Sequence, residues 1–138
     1  MKLTPRRQGD LGEYSAIEWF GAQGIPVYVP LGHAPDADLV VWMDGRYAGI
    51  QVKTCGVFRN DRWEVSICTR GGNQSWNGLV KRFSAGRCDY LFVLVADGRR
   101  WLIPAGEVGG GTHVQLGGPK YARFEIEPGR PFASTAAA

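Results

Sequence analysis

The sequence predicts an α/β protein, with one long helix followed by a mostly antiparallel sheet. Apolar residues recur at helical spacing between residues 10 and 23, and Gly24 follows as a stop signal. The later segments are short runs of β-branched and aromatic residues, separated by turn signals such as Asp44-Gly45 and Asp97-Gly98. One helix ahead of several strands indicates a sandwich of two or three layers.

The size and composition suit a single compact domain. The chain has 138 residues, and 44% of them are hydrophobic. We expect one domain over residues 1–127 and a disordered tail over residues 128–138. No segment has the length and apolarity of a membrane span or a signal peptide, so we expect a cytoplasmic protein without a membrane partner.

The positive charge of the chain is small but grouped. The net charge is +3, and basic pairs occur at residues 6–7, 81–82 and 99–100. This grouping permits a polyanionic partner without requiring one. The three cysteines are far apart and lack the spacing of a disulfide framework or a zinc site.

The helix is expected from Asp10 to Gln23, with Asp10 as its N-cap. Glu13 then falls within the apolar stripe of this helix. Two interpretations of Glu13 stay open at this point. It can complete a capping box by folding back onto the Asp10 amide, or it can be a functional carboxylate directed at the sheet.

The strands follow from alternation and from turn residues. The segment at residues 25–32 is flanked by prolines, which places it at a sheet edge. A short second helix is expected at residues 79–85, and residues 106–118 are rich in glycine and are expected to be irregular. The strands are expected at residues 25–32, 38–43, 47–55, 62–69, 89–96, 99–105 and 121–127.

The turn Asp44-Gly45 determines which polar side chains share a face. If these two residues form the loop of a tight hairpin, Met43 pairs with Arg46. Counting outwards then pairs Asp38 with Gln51 and Asp36 with Lys53. Because side chains alternate along a strand, all four polar residues are expected on one side of the hairpin. The residues of this cluster are Asp36, Asp38, Gln51 and Lys53.

This combination of groups suits a hard divalent cation and an attacking water. Mg²⁺ prefers oxygen ligands, so Asp38 can be the anionic ligand and Gln51 can offer its amide oxygen. Lys53 can orient or deprotonate a water near a phosphate. Asp38 is favoured over Asp36 because it directly precedes the apolar strand. The structural alternatives are turn acids and an edge-strand lysine that blocks aggregation.

The residues Glu13, Pro35-Asp36-Ala37-Asp38 and Gln51-Val52-Lys53 resemble the PD-(D/E)xK nuclease superfamily. The order of the segments "GDLGEYSAIEWF", "VYVPLG", "ADLVVW", "IQVKT" and "LFVLV" through "WLIP" is similar to that of group I intron homing endonucleases and their bacterial relatives. The similarity covers about residues 8–108. Archaeal Holliday junction resolvases resemble the same layout more distantly.

The resemblance implies a restriction-endonuclease-like core, with a central mixed β-sheet and flanking helices. It implies phosphodiester hydrolysis that depends on Mg²⁺, for which Mn²⁺ can substitute, and a homodimer or higher oligomer acting on double-stranded DNA. Glu13, Asp38, Gln51 and Lys53 match the catalytic positions, with Asp38, Gln51 and Glu13 as metal ligands. The sequence departs from the superfamily pattern at Gln51, where an acid is usual.

A polar segment after the fourth predicted strand is the candidate DNA contact. Its amide, aromatic and basic side chains are types that read base edges, stack on bases or bind phosphates. Two alternatives to linear-duplex cleavage are a branched-DNA nuclease and a noncatalytic DNA-binding relative. The candidate DNA-binding residues are Arg70, Asn73, Gln74, Trp76, Lys81 and Arg82.

Overall fold

The computed structural model describes residues 3–32, 36–70, 80–81 and 83–133, with residues 69, 70, 80 and 81 described by their backbone alone. Within this part of the chain, one α-helix precedes a series of strands. The elements are α1 (Pro5–Ala22), β1 (Val27–Tyr28), β2 (Leu39–Met43), β3 (Arg46–Cys55), β4 (Phe58–Arg59), β5 (Arg62–Ser66), β6 (Thr69–Arg70), β7 (Val80–Lys81), β8 (Tyr90–Val95), β9 (Arg100–Pro104), β10 (His113–Leu116) and β11 (Glu125–Ile126), with 3₁₀ turns at Ala105–Glu107 and Ala122–Phe124.

Helix α1 begins earlier than the sequence analysis predicts. Thr4 is its N-cap, and the Thr4 hydroxyl accepts a hydrogen bond from the Arg7 N–H at 3.2 Å. Pro5 occupies the first helical turn, where its fixed φ favours helix initiation. The prediction of Asp10 as N-cap is therefore wrong, because Thr4-Pro5 is the stronger start signal. The helix ends as expected, with Gly24 at φ 75°.

The central sheet is mixed, as predicted. It has six strands in the order β1-β2-β3-β8-β9-β11. Strands β3 and β8 run parallel, and the other neighbours are antiparallel. Strand β1 lies at one edge, which confirms the edge position inferred from its prolines.

The β2–β3 hairpin has the predicted register. Met43 pairs with Arg46, and the ladder continues to Leu39 opposite Ile50. Asp44 and Gly45 have φ values of 55° and 77°, as a two-residue turn of this type requires. The turn therefore places Asp38 one residue beyond the last pair of the ladder.

Two different layers cover the central sheet. Helix α1 packs on one face through Ala16 and Phe20. The three-stranded sheet β10-β5-β4 packs on the other face, where Trp63 and Val65 belong to the same core cluster as the buried Trp101. The layer opposite α1 is thus made of strands, whereas flanking helices were expected. No helix in the described ranges has the length and apolarity needed to span a membrane.

Two local predictions in the second half of the chain are wrong. In the expected helix at residues 79–85, Val80–Lys81 is a strand that pairs with Thr69–Arg70. The glycine-rich region expected to be irregular contains β10, which pairs with β5 along its whole length. In both cases a partner strand that is distant in sequence supplies the backbone hydrogen bonds, and local propensity does not reveal it.

The segment at residues 128–133, which was expected to belong to a disordered tail, makes backbone hydrogen bonds to residues 96–98. The N–H of Gly129 donates to the carbonyl of Gly98 at 2.7 Å, and the N–H of Phe132 donates to Ala96 at 3.0 Å. The Phe132 side chain packs against both core clusters. An aromatic anchor and backbone hydrogen bonds therefore hold this segment in place. The remaining tail, residues 134–138, lies outside the described residues.

Arg100 connects helix α1, the sheet and the C-terminal segment. Its side chain is only 3% exposed. The guanidinium donates to the Glu127 carbonyl at 2.8 Å, to the Ser15 carbonyl and hydroxyl at 3.2 Å, and to the Glu18 carboxylate at 3.0 Å. A weaker bond reaches the Pro128 carbonyl at 3.4 Å. A buried charge is tolerated here because its donors are satisfied.

We expect Arg100→Ala to lower the free energy of unfolding by about 2–3 kcal/mol, because hydrogen bonds to a charged group are lost inside the protein. The Glu18 carboxylate is 63% exposed, so its share is reduced by solvent screening. Urea denaturation measures the loss. As a control, Arg123→Ala removes an exposed ion pair with Glu107 and should cost less than about 1 kcal/mol. Equal losses in the two variants would contradict the role assigned to Arg100.

Candidate active site

The site lies where β2 ends and β3 continues. Strand β2 starts at Leu39, whereas β3 runs on to Cys55, so the edge of β3 beyond Ile50 has no β2 partner. Asp38 occupies this edge. Its N–H donates to the Ile50 carbonyl at 2.8 Å, and its carboxylate Oδ2 accepts from the Val52 N–H at 2.8 Å. The carboxylate thus takes the place of the missing strand. Asp38 is held through both its backbone N–H and its side chain.

Gln51 and Lys53 project toward the small β10-β5-β4 sheet. Consecutive side chains of β3 alternate between faces, and Ile50 belongs to the cluster on the α1 side. Lys53 Nζ lies 3.5 Å from the Cys68 carbonyl, just after β5. Burial lowers the pKa of Lys53, and the nearby Asp38 carboxylate opposes this effect. Lys53 is therefore a partly buried cation beside Asp38.

Glu13 reaches the same place from helix α1. Its side chain is partly buried. Burial raises its pKa, and the negative charge of Asp38, followed by that of Asp10, raises it further. Asp38 therefore interacts electrostatically with both Glu13 and Lys53. The capping-box interpretation of Glu13 is wrong, since Asp10 lies inside the helix rather than at its start.

Asp36 does not join this group in the predicted way. The hairpin register would place it opposite Lys53, but the chain leaves the ladder at Asp38. The Asp36 carboxylate lies 4.0 Å from the Arg87 guanidinium instead. The preference for Asp38 over Asp36 agrees with this arrangement.

A close contact between α1 and β3 determines how near Glu13 lies to the sheet. Gly12 is buried against β3, and a Cβ atom at this position would overlap the methyl group of Thr54 and meet Val52 Cγ1 at 3.1 Å. The absent side chain lets the helix backbone approach the strand, and Glu13 is the next residue. A glycine inside a helix is unfavourable, so its presence is a signal that the sequence analysis missed.

The comparisons with known proteins agree with this geometry. Residues 3–123 match the model of the PD-(D/E)XK endonuclease family. The chain belongs to the PD-(D/E)XK endonuclease family. A bacterial homing endonuclease, I-Ssp6803I, has a similar fold, with a TM-score of 0.70 and 17% identity over 87% of each chain. No curated protein matches. The resemblance inferred from the sequence is confirmed.

The side-chain donors of this PD-(D/E)XK endonuclease site are of the types that bind a divalent cation. In the described ranges, no three His, Cys, Asp or Glu side chains converge as a metal site. Glu13 and Asp38 supply two carboxylates whose charges oppose one another, and Gln51 is the remaining oxygen donor on the sheet face. These three donors are all oxygen atoms, which hard cations prefer over nitrogen or sulfur. The set therefore fits a cation such as Mg²⁺.

Two main-chain groups also shape the endonuclease site. The Val52 N–H holds the Asp38 carboxylate, and the Cys68 carbonyl accepts from Lys53. Residue types do not reveal such groups, because every residue carries the same backbone. The sequence could therefore identify the charged side chains but not the atoms that hold them.

The candidate DNA-binding residues begin close to Lys53. Arg70 and Lys81 lie on the two-stranded ribbon β6–β7, where Thr69 pairs with Lys81 and Arg70 with Val80. This ribbon starts directly after Cys68, whose carbonyl contacts Lys53. The other candidates, Asn73, Gln74, Trp76 and Arg82, lie outside the described residues.

We expect Gly12→Ala to destabilise the endonuclease by about 1–3 kcal/mol, because the new methyl group forces α1 away from β3. The shift also moves Glu13 away from Asp38, so DNA nicking should fall as well. Gly21→Ala is a matched control in the same helix, where a Cβ meets no atom within 4 Å. It should be neutral or stabilising by up to about 1 kcal/mol. Similar urea denaturation curves for both variants would contradict the close-packing argument.

Proposed function

We propose that this protein is a divalent-metal-dependent endonuclease that hydrolyses phosphodiester bonds in double-stranded DNA. The observation that carries the proposal is the convergence of Glu13, Asp38 and Lys53 at the open edge of β3. Asp38 interacts with the other two charges, and Gln51 shares a strand face with Lys53. Membership of the PD-(D/E)XK endonuclease family supports the same chemistry.

Asp38, Gln51 and Glu13 are the proposed ligands of the cation. Mg²⁺ is the expected ion, and Mn²⁺ can replace it because it also accepts oxygen ligands. When bound, the cation supplies positive charge that stabilises the charge developing on the scissile phosphate. The Val52 N–H holds one oxygen of Asp38, which leaves the other oxygen for the ion.

Lys53 is the proposed group that positions the attacking water and the phosphate. Its amino group lies between the Cys68 carbonyl, at 3.5 Å, and the charge of Asp38, which directs it toward the proposed site of the ion. Water adds to phosphorus while the bond to the leaving oxygen breaks. The two protons of the water finish on the leaving hydroxyl and on the new phosphate monoester, so the hydrolysis is balanced without a further reactant.

The β6–β7 ribbon, the chain segment that joins its two strands and the following Arg82 are the proposed DNA contact. The ribbon begins beside Lys53, so a duplex placed over the catalytic cluster would pass along it. Arg70, Lys81 and Arg82 would bind phosphates, whereas Asn73, Gln74 and Trp76 would read or stack on bases.

A symmetric homodimer or higher oligomer is the proposed assembly. One small domain carries one cluster, whereas a duplex has two strands of opposite direction. A two-fold axis presents identical sites to both strands. The structural neighbour is a bacterial homing endonuclease, and we propose a homing-type activity for this chain on that likeness.

Lys53→Ala should reduce divalent-metal-dependent nicking of plasmid DNA by at least about 100-fold, because a positioning group of the reaction is lost. Folding and DNA binding should be nearly unchanged. Lys120→Ala is a control that removes an exposed lysine stacked on Tyr121, and it should cut at the wild-type rate. Undiminished cleavage by Lys53→Ala, with wild-type cleavage present, would remove the mechanism.

Gln51→Glu should lower the Mg²⁺ concentration that gives half-maximal cleavage by about tenfold or more. A carboxylate adds one negative charge close to the proposed ion. Two opposite unit charges attract each other by about 1 kcal/mol at 4 Å even in water, and the ion carries two. Gln23→Glu, an exposed position at the far end of α1, is the control and should leave this concentration unchanged. If Gln51→Glu leaves the Mg²⁺ concentration for half-maximal cleavage unchanged, Gln51 is excluded as a ligand.

A further inference from the structure

Helix α1 begins with two arginines where helix electrostatics favours acids. Arg6 and Arg7 lie in the first turn, and this turn has no acidic residue. The N-terminus of a helix carries partial positive charge, so cations there oppose helix stability. Both side chains are exposed, and neither makes an ion pair within the part of the chain that the structure describes. Neither the helix dipole nor an ion pair among the described residues therefore accounts for these two arginines.

The two arginines point to different sides of the helix. Arg6 precedes Glu13 by seven residues, which places it within about 20° of Glu13 around the axis and about 10 Å along it. Arg7 is about 120° away from Glu13 by the same geometry. It shares a side with Leu11 and Tyr14, which line a cavity of about 490 Å³ beside the C-terminal segment. Of the two arginines, Arg6 is therefore the one on the flank that leads to the candidate active site.

The charges that act on Glu13 on that flank are negative. Asp10, Glu13 and Asp38 are close enough that the charges of both aspartates raise the pKa of Glu13. A DNA strand that approaches this group meets repulsion from every carboxylate that a cation does not neutralise. An exposed guanidinium on the same side of α1 offsets this repulsion at the entrance of the site. Its planar fork of donors also matches the geometry of a phosphate.

We propose that Arg6 binds a backbone phosphate of the DNA strand whose scissile phosphate lies at Asp38, a few nucleotides from the point of cleavage. The inference rests on the proposed function, because it assumes that DNA occupies this site. Arg6 contacts the substrate backbone and takes no part in the bond-breaking step. The contact carries no sequence information, so it contributes affinity and register rather than target choice.

The test compares Arg6→Ala with Arg7→Ala, a neighbour of equal charge on another side of the helix. Binding to a linear duplex is measured by fluorescence anisotropy in EDTA at several KCl concentrations. Each phosphate contact contributes about 0.9 to the slope of log K against log salt. Arg6→Ala should lose about 0.9 of this slope and about fivefold in affinity at 0.15 M salt. Arg7→Ala should keep the wild-type slope, and Arg6→Lys should restore most of it.

Cleavage provides a second readout. With Mg²⁺ present, Arg6→Ala should raise KM for plasmid nicking by a similar factor while kcat changes less than about twofold, as expected of a contact kept through the reaction. Its thermal unfolding should equal or exceed that of the wild type, which a merely structural role would not allow. A wild-type slope in Arg6→Ala, or equal losses in Arg6→Ala and Arg7→Ala, would overturn the proposal.

The two proposals fail in different experiments. Undiminished nicking by Lys53→Ala overturns the catalytic mechanism and leaves the Arg6 slope in EDTA unaffected. Conversely, abolished nicking by Lys53→Ala together with an unchanged Arg6→Ala slope overturns the phosphate contact alone.

Discussion

The hydrogen bond from the Val52 N–H to the Asp38 carboxylate is the constraint on which the site depends. Two antiparallel strands that separate leave backbone donors without partners, and a buried or half-buried donor needs an acceptor. Here a carboxylate takes the place of the next strand. The same bond that completes the ladder therefore fixes an anion beside Glu13 and Lys53. The end of β2 and the location of the chemistry have one cause.

The two layers over the sheet bring different groups to that anion. Helix α1 supplies Glu13, and its approach is set by Gly12, which leaves no room for a side chain against β3. The small sheet leads to Cys68, whose carbonyl holds Lys53 from the opposite side. The buried Arg100 secures the far side of the helix to the C-terminal segment. The packing of the three layers thus determines where Glu13 and Lys53 lie relative to Asp38.

Electrostatics explains why the proposed site attracts a cation and why its carboxylates repel the phosphates of DNA. The negative charge of Asp38 opposes that of Glu13, and burial adds to the cost of keeping Glu13 ionised. A divalent ion relieves this repulsion, and Lys53 balances part of the charge. DNA is itself an anion, so cations at the margin of the site, such as Arg6, offset what the carboxylates impose at longer range.

The long helix, the β2–β3 hairpin and the register of this hairpin could be predicted from the sequence, because they follow from periodicity and from the turn Asp44-Gly45. The same register puts Gln51 and Lys53 on one face of β3 and Asp38 at the edge of that strand. The strand layer opposite α1, strand β10 and the hydrogen-bonded segment at residues 128–133 emerge only in the folded chain. Those features depend on partners far apart in the chain, and on backbone donors and acceptors that are the same in every residue type. Local patterns do not specify which of these groups meet.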